Sequence, residues 1–305
     1  MSTATRRQFL HSSLLAGTGL VLGAGSAAAI EPIRRSGPSH LRLSIAAYSF
    51  RQALDLKRKP KPEMTLDDFI DLAAGMDLDA VELTQYYFPQ PMPDDYLARL
   101  KGRCTRLGLD VSGTAVGNNF CVADPDKLKG QIDMVKKWTE YSARLGAKTM
   151  RIFAGNVAKG DDADKARARC VAAIQEACDH AAQYGVYLAL ENHGGLTSTV
   201  EQILTLVKAV KHDWFGVNLD TGNFHTDDPY GDLEKLVPYA VTVQVKTEIQ
   251  RSGMKKEDAD LARLIDMLRK ARYRGYVALE YEAAENARTA VPRHIEALKK
   301  LVRGT

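Results

Sequence analysis

Eight times along the chain, a short run of apolar and β-prone residues gives way to an amphipathic stretch with helical spacing. The strand-like runs are 41–50 (LRLSIAAYSF), 80–88, 109–120, 149–155, 186–193, 215–224, 241–249 and 276–282. The stretches between them carry helix punctuation. TLDDFIDLAAGM opens on a threonine cap with acids in its first turn. Segments 124–146 and 161–185 each end on a glycine suited to a helix C-terminus. Strands alternating with helices predict an α/β fold with a parallel sheet. Eight such units are the count of a closed (β/α)8 TIM barrel. A doubly wound sheet would need fewer strands and a glycine-rich first turn. Neither G-x-G-x-x-G nor G-x-x-x-x-G-K-[ST] occurs, which removes a dinucleotide or P-loop reading.

The first residues do not fit this alternation. Arg6 and Arg7 precede Phe9 and Leu10, a weakly apolar glycine-containing run follows, and small residues stand at 27–29. That layout predicts a twin-arginine signal peptide over 1–29 and export to the periplasm. The run is too short and glycine-rich for a spanning helix, which needs about 20 apolar residues. Residues 30–40 read as a linker and 41–305 as the barrel, with no repeat or domain boundary inside it. Cleavage after Ala29 leaves 276 residues of the 305 and, with both arginines gone, lowers the net charge from +4 to +2. So small a charge argues against nucleic acid or an anionic membrane as a partner. Cys104, Cys121, Cys170 and Cys178 show no CxxC spacing. Cys170 and Cys178 would lie roughly 12 Å apart along one helix, beyond disulfide reach. All four read as small core residues, and Trp138 and Trp214 as packing residues.

In such barrels the chemistry lies at the C-terminal ends of the strands, and polar residues collect there. Strand two offers Glu82, Gln85 and Tyr86; strand three Asn118 and Asn119; strand four Arg151. Strand five ends in Glu191, Asn192 and His193 before the pair Gly194–Gly195. Strand six gives Asp220, Asn223 and His225; strand seven Gln244, Lys246 and Glu248; strand eight Glu280 and Glu282. Glu191, Asp220, Gln244 and Glu280, from four consecutive strand ends, make a hard-oxygen donor set suited to Mg2+, Mn2+ or Ca2+. Converging carboxylates repel one another unless a cation or a proton intervenes, so a divalent ion is expected among them. Strand alternation turns Gln244 and Lys246 to the same interior side. Lys246 there either binds a substrate oxygen or partners Glu280.

The motifs LALENHGG, VNLDTGNF, VQVKTE and GYVALEYE, in that order and spacing, resemble the sugar phosphate isomerase/epimerase family of xylose isomerase-like TIM barrels. The resemblance covers roughly residues 41–303. It implies a divalent metal, Mn2+ or Mg2+, held by Glu191, Asp220, the residue at 244 and Glu280. Two positions depart from the ketose epimerase pattern: Gln244 stands where those enzymes have a ligand histidine, and Asn223 where they have a histidine three residues after the aspartate. The expected chemistry is isomerisation or epimerisation of a sugar or keto-sugar through an enediolate. Glu191 and Glu280 are the expected acid/base pair, with Glu82, Asn118, Arg151, His193, Asn223 and Lys246 orienting hydroxyls. Two other outcomes stay open: a lyase or hydratase eliminating from 3-keto-glycosides, and a non-catalytic carbohydrate-binding barrel. The expected partner is a small carbohydrate, and the chain is open to homo-oligomer formation.

Overall fold

The computed structural model describes residues 30–56 and 62–304, so the expected signal peptide lies outside the described residues. Among the described residues, ten strands occur in chain order: β1 (His40–Ala46), β2 (Ala80–Thr84), β3 (Asp110–Ala115), β4 (Thr149–Ile152), β5 (Tyr187–Glu191), β6 (Phe215–Asp220), β7 (Ala240–Val245), β8 (Glu248–Gln250), β9 (Lys256–Asp258) and β10 (Arg274–Leu279). Eight of them close into a parallel ring in the order β1-β10-β7-β6-β5-β4-β3-β2, while β8 and β9 form a separate antiparallel hairpin. The fold is the (β/α)8 barrel that the eightfold alternation predicts.

The crossover helices start where side chains supply caps. Thr65 and Thr199 build capping boxes with Asp68 and Gln202, and Asp124, Asp162, Asp228, Asp260 and Asn286 cap five further helices. Gly146 and Gly185 end the two longest helices in the left-handed region, at φ 85° and 66°. Residues 30–39 are not strand, but they are tied to the barrel's N-terminal end. The Ile33 N–H donates to Pro238 O at 2.9 Å and the Ser39 hydroxyl to Tyr273 O at 2.7 Å.

Along each strand, alternate side chains take opposite roles. Val217 and Leu219 of β6, Val243 and Val245 of β7, and Val277 and Leu279 of β10 are fully buried members of the apolar core. Their neighbours Asn218, Asp220 and Gln244 are equally buried but polar, and they face the lumen. The register aligns Asp220 with Gln244, and Gln244 with Ala278. The four cysteines are buried and free, and Trp138 packs edge-on against Phe88 with centroids 4.9 Å apart.

The strands end sooner than the apolar runs do. The strand in the run 109–120 ends at Ala115, that in 186–193 at Glu191 and that in 276–282 at Leu279, with single backbone bonds persisting one residue on, from Val116 N–H to Arg151 O (3.2 Å) and from Glu280 N–H to Val245 O (2.9 Å). The run 241–249 divides, because the Lys246 N–H turns to the Thr221 hydroxyl (2.9 Å) and Thr247 O accepts from Ala259 N–H (2.9 Å). Side-chain and loop partners replace the ladder at these points, and the polar residues of the mouth sit there.

Candidate active site

Gln244 spans the lumen. Its Nε2 donates to Glu82 Oε1 (2.7 Å) and to Glu280 Oε2 (2.9 Å), while its Oε1 accepts from Asn218 Nδ2 (2.6 Å). β2 and β7 are not neighbours in the ring, so the bond from Gln244 to Glu82 runs through the barrel interior. Above this floor stand two cations. The Lys246 ammonium lies 2.5 Å from Glu280 Oε1 and 3.3 Å from Asp220 Oδ2, and also bonds Glu282 Oε2. Arg151 Nε pairs with Glu191 Oε2 at 2.8 Å, though its N–H is not aimed along a hydrogen bond, and its Nη1 donates to Val116 O at 2.6 Å. The other oxygen of Glu191 accepts from Asn223 Nδ2 at 2.9 Å.

Five carboxylates and two cations so close together, in so little water, shift one another's protonation. Burial pushes Glu82 up to about 8, reinforced by the charge of Glu280. Burial raises Asp220 to about 8 against the pull of Lys246, and Glu191 to about 7 against that of Arg151. Burial also works against the charge of Lys246, but Asp220, Glu280 and Glu282 outweigh it and hold the ammonium well above the ordinary lysine range.

A cavity of about 190 Å3 opens over these groups, lined by Tyr48, Tyr86, Arg151, Phe153, Glu191, His193, Lys246, Glu280 and Glu282. Its wall is aromatic: Tyr48 and Tyr86 meet edge-on at 6.3 Å, and Phe153 packs on the His193 ring at 4.5 Å with the Arg151 guanidinium 3.9 Å from its centre. Partial burial, with Arg151 nearby, pulls His193 below its usual value, so the ring is neutral at pH 7. The turn behind it depends on Gly195, at φ 52°, where a Cβ would meet Gly155 O at 2.4 Å.

Five of the ten expected site residues therefore line the cavity: Arg151, Glu191, His193, Lys246 and Glu280. Glu82, Asp220 and Gln244 lie beneath it, fully enclosed, and Asn223 reaches in only to hold Glu191. Asn118, expected to orient a hydroxyl, holds the Phe153 backbone instead. Its Nδ2 donates to Phe153 O (2.7 Å) and its Oδ1 accepts from Phe153 N–H (2.9 Å), as a strand neighbour would. Asn192 clamps both backbone groups of Asp220 in the same way.

Residues 70–301 match the sequence pattern of one family, the xylose isomerase-like TIM barrel. The chain belongs to that family. Several solved xylose isomerase-like barrels share its fold at low identity. D-psicose 3-epimerase from Clostridium cellulolyticum H10, solved with D-tagatose, superposes with a TM-score of 0.68 at 18% identity over 86% of this chain and 98% of its own. The probable 3-DHS dehydratase of Bacillus anthracis gives 0.66 at 18% over 85% and 98%. The 3-keto-D-glucoside 4-epimerase of E. coli gives 0.65 at 15% over 86% and 99%. No curated protein sequence matches the chain.

In this xylose isomerase-like barrel the expected metal donors come together, but they do not fit a divalent ion as they stand. A hard cation needs about six oxygen ligands, some supplied by water. Here Glu191 Oε1, both Glu280 oxygens and Asp220 Oδ1 already accept from protein N–H groups, and Glu191 Oε2 is ion-paired with the Arg151 guanidinium. Gln244 turns its NH2 to the carboxylates and its oxygen to Asn218. Asp220 Oδ2, 3.3 Å from the Lys246 ammonium, and Glu191 Oε2, paired with Arg151, each have a cation beside them without an aligned hydrogen bond. Among the described residues, no group of three or more His, Cys, Asp or Glu side chains is arranged to hold a metal.

Tyr48, Phe153 and Asn218 escaped the reading of the strand ends, while Tyr86 and Glu282 were noted there without a site role. The period-two rule that singles out Asp220 and Glu280 also points to Asn218, two before the first, and to Glu282, two after the second. Tyr48 follows β1 by two residues, and Phe153 directly follows β4. Both are strand-end positions that no charged or amide side chain marks in the sequence.

Proposed function

We propose that this barrel catalyses proton transfer at the carbon beside a sugar carbonyl, acting as an isomerase or epimerase of a keto-sugar with Glu191 and Glu280 as its acid/base pair. The observation that supports it is that both carboxylates and two fixed cations line a single small, aromatic-walled cavity. One carboxylate removes the proton. The C–H electrons form the new C=C bond, and the carbonyl electrons move to oxygen as an enediolate. For epimerisation the other carboxylate, protonated, delivers its own proton to the opposite face of the same carbon; for isomerisation the former carbonyl carbon takes the proton while the neighbouring hydroxyl's proton passes to the enediolate oxygen, leaving the new carbonyl beside it. Preorganised donors stabilise the developing oxyanion; Lys246 and Arg151 supply them here. Glu191, held near 7, is matched to both accepting and returning a proton at neutral pH. The rings of Tyr48, Tyr86 and Phe153 offer flat faces to the C–H side of the sugar and keep water out. The Mn2+- or Mg2+-assisted form that the sequence resemblance implies asks for oxygen donors that the mouth does not present, so no step is assigned to a metal.

A lyase acting on 3-keto-glycosides is the second reading, and one feature favours it. Glu282 also lines a neighbouring cavity of about 610 Å3, bounded by Arg51, Tyr281, Asn286 and Arg288, which has room for a leaving group. Epimerisation beside a carbonyl and elimination from the β position begin with the same proton loss. The two readings part in the products from D-tagatose and from p-nitrophenyl 3-keto-β-D-glucoside. An altered sugar with the nitrophenyl bond intact supports the isomerase, and release of p-nitrophenol supports the lyase. Unchanged substrates that nevertheless bind would leave a carbohydrate-binding barrel. The same proposal includes periplasmic export on the twin-arginine sequence, checked by N-terminal sequencing of the secreted protein for a start at Ile30.

A further inference from the structure

We propose that the ammonium of Lys246 is the resident cation of this site, standing where a divalent ion would have to bind, and that the barrel works without a metal. For its chemistry the inference rests on the proton-transfer reading, but its test reads the cation alone.

Four features carry it. First, Nζ lies among three carboxylates, 2.5 Å from Glu280 Oε1, 3.3 Å from Asp220 Oδ2 and bonded to Glu282 Oε2. A metal ligated by Asp220 and Glu280 needs oxygen distances of roughly 2.0–2.6 Å, which would set two like charges against each other in the same space. Second, Gln244 complements an ammonium and opposes a metal. Its NH2, the positive end of the amide dipole, points at Glu280 Oε2 and Glu82 Oε1, and its oxygen is already bonded to Asn218. Third, Glu191 is satisfied by Arg151 on one oxygen and Asn223 on the other. Asn223 and Gln244 are the two positions where the sequence departs from the ketose epimerase pattern, and both now donate N–H to a carboxylate that a metal would need. Fourth, the lysine has a built path. The Lys246 N–H is held by the Thr221 hydroxyl at 2.9 Å, and Gly222 leaves room for the stem, since a Cβ there would lie 2.6 Å from Lys246 Cγ.

The assignment gives Lys246 the part of fixed positive charge. It keeps Asp220, Glu280 and Glu282 together when no substrate is bound. Two of its three N–H groups are taken by Glu280 and Glu282, and the third, which makes only the 3.3 Å ion pair with Asp220, is there to receive the developing negative charge on the carbonyl oxygen of a keto-sugar.

The experiment is a titration of the chain from Ile30 to Thr305, dialysed against chelator, with MnCl2 and with MgCl2, read by calorimetry and by thermal melting. Wild type is expected to take up neither ion and to melt at the same temperature in chelator and in excess Mn2+. Lys246→Met leaves the carboxylates without their cation and is expected to gain Mn2+ binding, with a melting point that rises as Mn2+ is added. One tightly bound Mn2+ per wild-type chain, or a wild-type melting point that falls on chelation, would overturn the proposal. So would a folded Lys246→Met with no gain in Mn2+ affinity. If that variant does not fold, Lys246→Gln tests the same point: it keeps a polar side chain but removes the charge from among Asp220, Glu280 and Glu282, and Mn2+ uptake should appear there and be absent from wild type. A loss of sugar turnover in either variant would leave this result untouched.

Discussion

Removing Arg151 should cost the fold as much as it costs the chemistry. Arg151 and Glu191 are 5% and 3% exposed, so solvent and salt screen their pairing little. Arg151→Met keeps an apolar stem but loses the guanidinium that packs over Phe153 and strands Glu191 with Asn223 as its remaining hydrogen-bond donor. Breaking a buried pair by deleting one partner costs about 3–5 kcal/mol. At about 2–4 °C per kcal/mol for a domain near this size, the melting temperature should drop by roughly 6–20 °C. Glu191→Gln in the same background removes the stranded charge and should recover part of the loss. A double-mutant cycle by urea denaturation at pH 7.5 should then give a coupling of about 0.5–3 kcal/mol between the two positions. Strict additivity, or a drop of only a degree or two in Arg151→Met, would refute the claim that these buried charges compensate each other.

Glu191→Gln and Glu280→Gln should each lower turnover by about 10²–10⁴-fold, the usual contribution of a positioned acid or base, while sugar affinity measured by calorimetry changes little. Gly222→Ala should push the Lys246 stem aside and raise KM for a keto-sugar more than it lowers the melting temperature, whereas Gly253→Ala on the open β8–β9 turn, where a Cβ meets nothing within 4 Å, should leave KM alone. Glu82 and Asp220 are both held at about 8 in the fold against ordinary values of 4.5 and 3.8. Their contribution to stability is full below the ordinary values and is lost as pH rises through about 8. The melting temperature should therefore fall between pH 5 and pH 9, and Glu82→Gln should flatten that slope.

The barrel was legible because its determinants are local. The apolar runs, the threonine and aspartate caps and the glycine stops each act within one strand or one helix turn, and most units carry a side-chain cap, the two longest helices a glycine stop as well. The places where polar residues would gather were legible for the same reason, since parallel strands joined by crossover helices put every C-terminal end on one face. What each polar residue does there was not. Asn118 and Asn192 look alike to substrate ligands in sequence, yet each pairs with the backbone of an adjacent strand's end, a partner 35 and 28 residues away. The ammonium among Asp220, Glu280 and Glu282 draws on three strand ends, and the length of the lysine stem decides that it reaches them. Like charges at strand ends announce that some cation is needed. Only the side-chain geometry shows that Lys246 and Arg151 supply it.

The most direct test of the whole account is hydrogen exchange in D2O, followed by NMR, on D-tagatose and a 3-keto-glucoside with excess chelator present. The arrangement of Glu191, Glu280 and Lys246 predicts that deuterium enters beside the carbonyl of at least one of these sugars at an undiminished rate in the chelator. Exchange that stops with chelation and returns with Mn2+, or no exchange with either sugar, would contradict it.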